Sequence, residues 1–217
     1  MKEWTDSYKT YFSQKNFIIV SLTSLALLLL SLVFNFYAGV YATESISNPV
    51  TDIILSNIRV YDVDALFIFG SWFLFISIAV LCFRYPWKLP FLLKSVSLFI
   101  LTRSVFITLT HLAPFPTAQV ISPTGFLSFF VFGGDLFFSG HTGLPFLLAL
   151  IFWDNNFLRR LYLFSSVFFG VVVLLAHLHY SIDVLSAYFI TYTIYHISLK
   201  LFLKEKEIFD SGHTHKF

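Results

Sequence analysis

The feature that most constrains the fold is a series of long apolar segments, the first of which runs from Phe17 to Val40. A helix needs about 20 mainly apolar residues to cross the hydrocarbon core of a bilayer. Five further segments have this character: 65–83, 89–111, 139–157, 161–176 and 181–203. The sequence therefore predicts an all-α membrane protein with six transmembrane helices. The residues before the first segment contain no clear cleavage site, so we expect that segment to be retained as a helix.

The composition agrees with a chain that lies in lipid. Charged residues make up 12% of the 217 residues, and hydrophobic residues make up 57%. A soluble domain would carry about 25% charged residues. The basic residues are spread along the chain, which gives no reason to expect a nucleic acid as a partner. We find no internal repeat and no second domain, so residues 1–217 are predicted to form a single transmembrane domain.

The positions of Lys and Arg predict the orientation, because cytoplasmic loops collect these residues. With six spans and both termini in the cytoplasm, twelve of the 14 fall in the inner segments: Lys2, Lys9, Lys15, Arg84, Lys88, Lys94, Arg159, Arg160, Lys200, Lys204, Lys206 and Lys216. Arg59 then lies in the first outer loop and Arg103 within the third span. The second outer segment, 112–138, turns apolar at 126–132, and we expect it to pack at the membrane surface or dip into it.

Ionisable residues inside membrane spans are costly and usually mark functional positions. In the predicted topology, His141 opens the fourth span, and His179 and Asp183 open the sixth, all at the outer side. His179 and Asp183 are four residues apart, so on a helix their side chains share one face. A carboxylate at one imidazole nitrogen leaves the other nitrogen free to attack or to accept a proton.

His141 lies in a segment that predicts a phosphate-binding helix start. Ser139 is a good N-cap residue, and Gly140 permits close approach of the backbone. Free N–H groups at the positive end of the helix dipole bind phosphate, and a histidine beside them can protonate a leaving oxygen. The alternative interpretation is that each histidine is a hydrogen-bonded polar residue between helices. We see no metal-ligand cluster outside these three residues.

Arg103 is placed at a depth from which it can reach a phosphate at the outer ends of the fourth and sixth helices. Alternatively, Arg103 pairs with Asp183 or Asp135, or extends toward the membrane surface. Both interpretations stay open at this point. The predicted phosphate-binding residues are thus Arg103, Ser139 and Gly140.

Two motifs resemble a known family. The segments GDLFFSGHT at 134–142 and AHLHYSIDV at 176–184, the latter followed by AYFIT at 187–191, look like the two hallmark segments of sphingomyelin synthases. These enzymes form a branch of the type 2 phosphatidic acid phosphatase (PAP2) superfamily. The resemblance is specific over about 133–191, and a weaker likeness around Arg103 extends the predicted catalytic region to about 103–198.

The resemblance implies a six-helix PAP2-like bundle with its active site on the exoplasmic, lumenal or periplasmic side. It implies that His179 attacks the lipid phosphorus, that Asp183 orients His179, and that His141 protonates the departing oxygen. A glycerophospholipid would donate phosphocholine or a similar head group to ceramide or to a diacylglycerol-type lipid alcohol, with no metal or other cofactor. Asp135, His177 and Tyr180 are expected to support the site. The oligomeric state is not indicated.

The chain also departs from the wider superfamily. Phosphatase members carry a Ser-Arg pair before the last histidine, whereas this chain has Val172 and Val173 there. This difference favours the sphingomyelin synthase branch. Two alternatives are a lipid phosphatase or phospholipase C-like hydrolase that uses the same three residues, and a non-enzymatic channel, transporter or scaffold.

Overall fold

The computed structural model describes residues 11–119 and 133–211. Every regular element in these two ranges is helical, which confirms the all-α prediction. The elements are α1 Lys15–Glu44, α2 Asp64–Arg84, a 3₁₀ turn at Pro86–Lys88, α3 Leu89–Leu109, α4 Gly140–Ile151, α5 Asn156–Leu175, α6 Ser181–Leu201 and α7 Leu203–Ser211. The apolar stretch 126–132, the first ten residues and the last six lie outside the described residues.

Four described helices are long and apolar enough to cross a membrane: α1, α2, α3 with its preceding 3₁₀ turn, and α5. Helix α6 has 21 residues, but it carries Asp183, Lys200 and several hydroxyl side chains. Helix α6 is long enough to cross a membrane, but it is not among the four helices that are also apolar enough. The six-span count therefore remains a prediction, while a membrane protein with several spanning helices is supported.

The fourth predicted segment, 139–157, differs from the structure. Helix α4 has 12 residues, from Gly140 to Ile151, which amounts to about 18 Å at 1.5 Å per residue. The chain turns at 152–155, and Asn155 caps the next helix by accepting hydrogen bonds from the N–H groups of Phe157 and Leu158 at 3.1 and 3.0 Å. Helix α5 consequently begins at Asn156 rather than at 161. The predicted segment ran to 157 because it was drawn from apolar character alone, which does not reveal the cap at Asn155.

The helices pack around a core of large apolar side chains. Helix α1 lies along α3, and α4 packs against both α5 and α6. Phe91, Phe99, Leu147, Tyr162 and Phe169 are almost fully buried between these elements. Many other large apolar side chains face outward, including Phe69, Leu109, Phe157, Phe164 and Phe189. Such an apolar surface fits a protein that is surrounded by lipid.

The end of the molecule that is predicted to face the cytoplasm is closed by α7. Glu205 of α7 is buried and accepts a hydrogen bond from the Lys94 ammonium of α3. Phe209 packs against Phe91, and the Lys88 ammonium lies 3.8 Å from the centre of the Phe209 ring. These contacts anchor α7 at the opposite end from the two histidine motifs.

Candidate active site

His179 and Asp183 meet at the start of α6. Asp183 is fully buried, and its Oδ2 lies 3.5 Å from the His179 Nδ1. The helix begins only at Ser181, so His179 precedes it and the two residues do not share a helical face as the spacing suggested. They meet because the Asp183 carboxylate folds back over the helix start, where its Oδ2 accepts the Tyr180 N–H at 2.9 Å.

The 3.5 Å contact is an ion-pair distance rather than a hydrogen bond. Neither the His179 Nδ1 nor the Asp183 Oδ1 has a hydrogen-bond partner among the described residues. Catalytic hydrogen bonds are often long before substrate binds. The arrangement suits a carboxylate that orients an imidazole through Nδ1.

The start of α4 has the predicted cap. The Ser139 Oγ accepts hydrogen bonds from the N–H of Thr142 at 3.4 Å and from the Thr142 hydroxyl at 3.1 Å. The N–H of Gly143 bonds to the Ser139 carbonyl at 3.0 Å. In the described part of the chain, no hydrogen bond uses the N–H groups of Gly140 and His141. Free N–H groups at a helix start can bind an anion.

The two motifs lie side by side. The N–H of Ser139 donates to the main-chain carbonyl of Asp183 at 3.2 Å, which ties the start of α4 to the first turn of α6. His141 lies two residues after Ser139, so this bond brings the start of α4, with His141, to the residue that pairs with His179. The His141 ring lies against Phe67 of α2, with 4.4 Å between ring centres. The structure therefore brings together the three residues that were predicted to be catalytic.

Arg103 adopts one of the two arrangements that the sequence left open. Its guanidinium bonds to both carboxylate oxygens of Asp135, at 2.9 and 2.7 Å, and to the Asp135 carbonyl at 2.9 Å. Its Nε donates to the Phe138 carbonyl at 2.9 Å. A Cβ added to Gly140 would lie 3.1 Å from the Arg103 Nε. Four of the five N–H donors of Arg103 are thus used, and the guanidinium lies against the backbone of Gly140.

The remaining predicted support residues lie at the entry to α6. The Tyr180 hydroxyl donates to the Ala113 carbonyl at 2.9 Å and accepts the Val50 N–H at 3.3 Å. His177 has a positive φ of 56° and is 2% exposed. Its Nδ1 lies 2.6 Å from the Thr117 hydroxyl. These bonds join the segment between α5 and α6 to the α1–α2 loop and to the segment that follows α3.

His177 is also the first residue beyond Ala176, the C-terminal cap of α5. The N–H of His177 bonds to the Leu174 carbonyl, and the N–H of Leu178 bonds to the Val173 carbonyl. This pair of bonds is the Schellman motif, which places a left-handed residue just beyond the helix. Glycine is the usual residue at this position. Here the residue is a histidine, whose side chain makes the contact with Thr117.

Sequence reasoning missed Asp52 and Phe67. Asp52 lies in the loop between α1 and α2, and its carboxylate accepts two hydrogen bonds from Ser181. Phe67 forms one wall beside His141. Neither belongs to a recognisable motif, and a lone aspartate in a polar loop carries no signal of its partner. No group of three or more His, Cys, Asp or Glu side chains in the described ranges could hold a metal ion.

Both motifs lie within the part of the chain that matches a known protein family. Residues 133–200 match a family model described as PAP2 superfamily C-terminal. The match supports the PAP2 superfamily, whose members are generally lipid phosphatases or phosphotransferases. No curated protein and no solved structure matches the chain.

Proposed function

We propose that the protein is an integral membrane phosphotransferase of the sphingomyelin synthase type. It moves a phospho-head-group from a glycerophospholipid to ceramide or another lipid alcohol. The observation that carries the proposal is the junction of the two motifs, where the His179–Asp183 pair lies beside the start of α4. The family match at 133–200 supports the same general chemistry.

In the proposed first step, the His179 Nε2 attacks the phosphorus of the donor lipid. The bond between phosphorus and the diacylglycerol oxygen breaks, and His141 gives its proton to that oxygen. Asp183 accepts a hydrogen bond from the Nδ1–H of His179 and stabilises the charge that develops on the ring. The product of this step is a phosphohistidine-type intermediate and a free diacylglycerol.

In the second step, the acceptor hydroxyl attacks the same phosphorus. Its proton passes to His141, the nitrogen–phosphorus bond breaks, and His179 is regenerated. The free N–H groups of Gly140 and His141 would bind the phosphate oxygens. Arg103 would stabilise their charge through its remaining N–H and its positive field, while Asp135 holds the guanidinium in place.

An apolar groove lies along the first part of α6. The groove has a volume of about 350 Å³ and is lined by Ser181, Leu174, Leu185 and Tyr188, among others. The lining comes mainly from the first two turns of α6 and does not include His141, His179 or Asp183. An acyl chain of the donor lipid would fit such an apolar surface.

The test is product analysis of the purified protein in phosphatidylcholine micelles, with and without fluorescent ceramide. We expect fluorescent sphingomyelin in the presence of ceramide, and a loss of at least about 100-fold in the His179→Ala and His141→Ala variants. His196→Ala is the matched control, because His196 is exposed on α6 and bonds only to its own helix among the described residues. Release of phosphocholine without ceramide would indicate the hydrolase instead, and retained transfer in His179→Ala would contradict the mechanism.

A further inference from the structure

A carboxylate from a distant loop holds the start of α6. The Asp52 Oδ2 accepts the Ser181 N–H and the Ser181 hydroxyl, both at 2.7 Å. Its Oδ1 accepts the N–H groups of Ile54 and Leu55 at 2.8 and 3.0 Å. Asp52 is 7% exposed, so a buried carboxylate bridges two segments that are 129 residues apart.

Within 11–119 and 133–211, no side chain other than Asp52 accepts the first N–H group of helix α6. Its N-cap residue is Tyr180, whose hydroxyl is used by the Ala113 carbonyl and the Val50 N–H. A helix start leaves N–H groups that need an acceptor, and a negative charge at this end is favoured by the helix dipole. Asp52 therefore supplies the acceptor for the N–H of Ser181, the first residue of the helix.

The segment that Asp52 holds, Tyr180–Ser181, lies between His179 and Asp183 in the chain. Tyr180 donates its N–H to the Asp183 Oδ2, which is the oxygen nearest to the His179 Nδ1. Ser181, directly after Tyr180, is fixed by Asp52 through its main chain and its side chain. Movement of this peptide would change the distance between the imidazole and the carboxylate.

We infer that Asp52 is a positioning residue that sets the geometry of the His179–Asp183 pair through Ser181. This inference rests on the proposed function, since it assigns that pair to catalysis. The outer loop between α1 and α2 is then part of the active-site framework.

The charge state of Asp52 agrees with this role. Burial alone would raise the pKa of the Asp52 carboxyl, but hydrogen bonds from Leu55, Ser181 and Ile54 lower it overall. A lowered pKa means that the folded protein stabilises the carboxylate form. The acceptor is therefore ionised at neutral pH.

The test compares Asp52→Asn with Ser181→Ala. An asparagine cannot accept hydrogen bonds at both ends, because its amide group donates, so we expect kcat to fall between about tenfold and 100-fold while KM changes less than about twofold. Ser181→Ala keeps the main-chain bond to Asp52 and is expected to lose less than about fivefold in kcat. Hydrogen exchange at 180–186 should accelerate at least about tenfold in Asp52→Asn.

Glu205→Gln is the matched control, because it removes another buried carboxylate charge at the far end of the molecule. It should lower thermal stability without changing kcat or the exchange at 180–186. Unchanged exchange in Asp52→Asn would overturn the inference whatever reaction the protein catalyses. Faster exchange with unchanged kcat would also overturn it. Failure of the proposed function would instead show as absent lipid turnover in the wild type while the exchange difference persists.

Discussion

Arg103 and Asp135 act as one buried unit beside the site. The guanidinium meets both oxygens of the carboxylate, and the same guanidinium lies against Gly140 at the start of α4. The sequence indicated both residues, since each lies in or near a motif. It could not show whether Arg103 contacts phosphate or pairs with Asp135, because that depends on how the loop before α4 turns toward α3.

The first prediction concerns this pair. Arg103→Lys should lower kcat/KM by about 100-fold, because lysine cannot reproduce the planar fork and a displaced α4 start misplaces His141. Asp135→Asn should cause a comparable loss. The kcat/KM of the double variant should be no lower than that of the less active single variant. Steady-state kinetics of the three variants provide the measurement. Losses that multiply in the double variant would show that the two residues act separately.

His177 gives a second prediction, on pH. Burial lowers the pKa of the His177 imidazole, and the charge of Asp52 offsets part of this effect. Because the folded pKa lies below the unfolded one, the stabilisation is complete above the ordinary histidine pKa and is lost as pH falls through the lowered pKa.

His177→Asn tests this expectation, since asparagine tolerates the left-handed backbone and does not titrate. The variant should be less stable at neutral pH by about 1 kcal/mol, for the lost bond to Thr117. Its thermal stability should also fall less steeply than that of the wild type below about pH 6.5. Identical pH profiles for the two proteins would show that His177 does not contribute to the acid response.

At the scale of elements, the site is a junction of two helix starts. The motif pattern predicted both starts, and Ser139 caps α4 as expected. The pattern did not predict how they meet, because the Ser139–Asp183 hydrogen bond depends on close packing of α4 against α6. Gly143 makes that packing possible: an added Cβ would lie 2.8 Å from both the Phe99 ring and the Thr191 hydroxyl.

The third prediction follows from this close packing. Gly143→Ala should destabilise the protein by about 1–3 kcal/mol and should lower activity, since the buried Phe99 and Thr191 must move apart from α4. Gly133→Ala is the control, because its nearest neighbour would lie at an ordinary 3.8 Å. Thermal unfolding in detergent measures the difference. Equal stability of the two variants would contradict the packing argument.

At the scale of the whole molecule, hydrophobic segments and charge predicted a helical membrane protein and an orientation. They did not predict the short α4, since the cap at Asn155 interrupts a continuous apolar stretch. Nor did they predict the role of Asp52, since Ser181 lies 129 residues away and only the folded chain brings them together. Long-range pairing between a loop and a helix start leaves no periodic pattern in a single sequence.

The fourth prediction is the orientation itself. In a Cys82→Ser background, which removes the single native cysteine, Asn57→Cys and Lys204→Cys introduce exposed thiols at opposite ends. With both termini cytoplasmic and the protein expressed in a plasma membrane, a membrane-impermeant maleimide should label Asn57→Cys in intact cells and should label Lys204→Cys only after permeabilisation. The reverse pattern would contradict the charge argument.

The measurement that tests the central claim most directly is trapping of the covalent intermediate. The purified protein is mixed with a donor lipid labelled in its phospho-head-group, quenched without acid, and analysed by peptide mapping. The account predicts label on the peptide that contains His179, loss of that label when ceramide is added, and no label in His179→Ala. Transfer to ceramide without any labelled His179 peptide would contradict it.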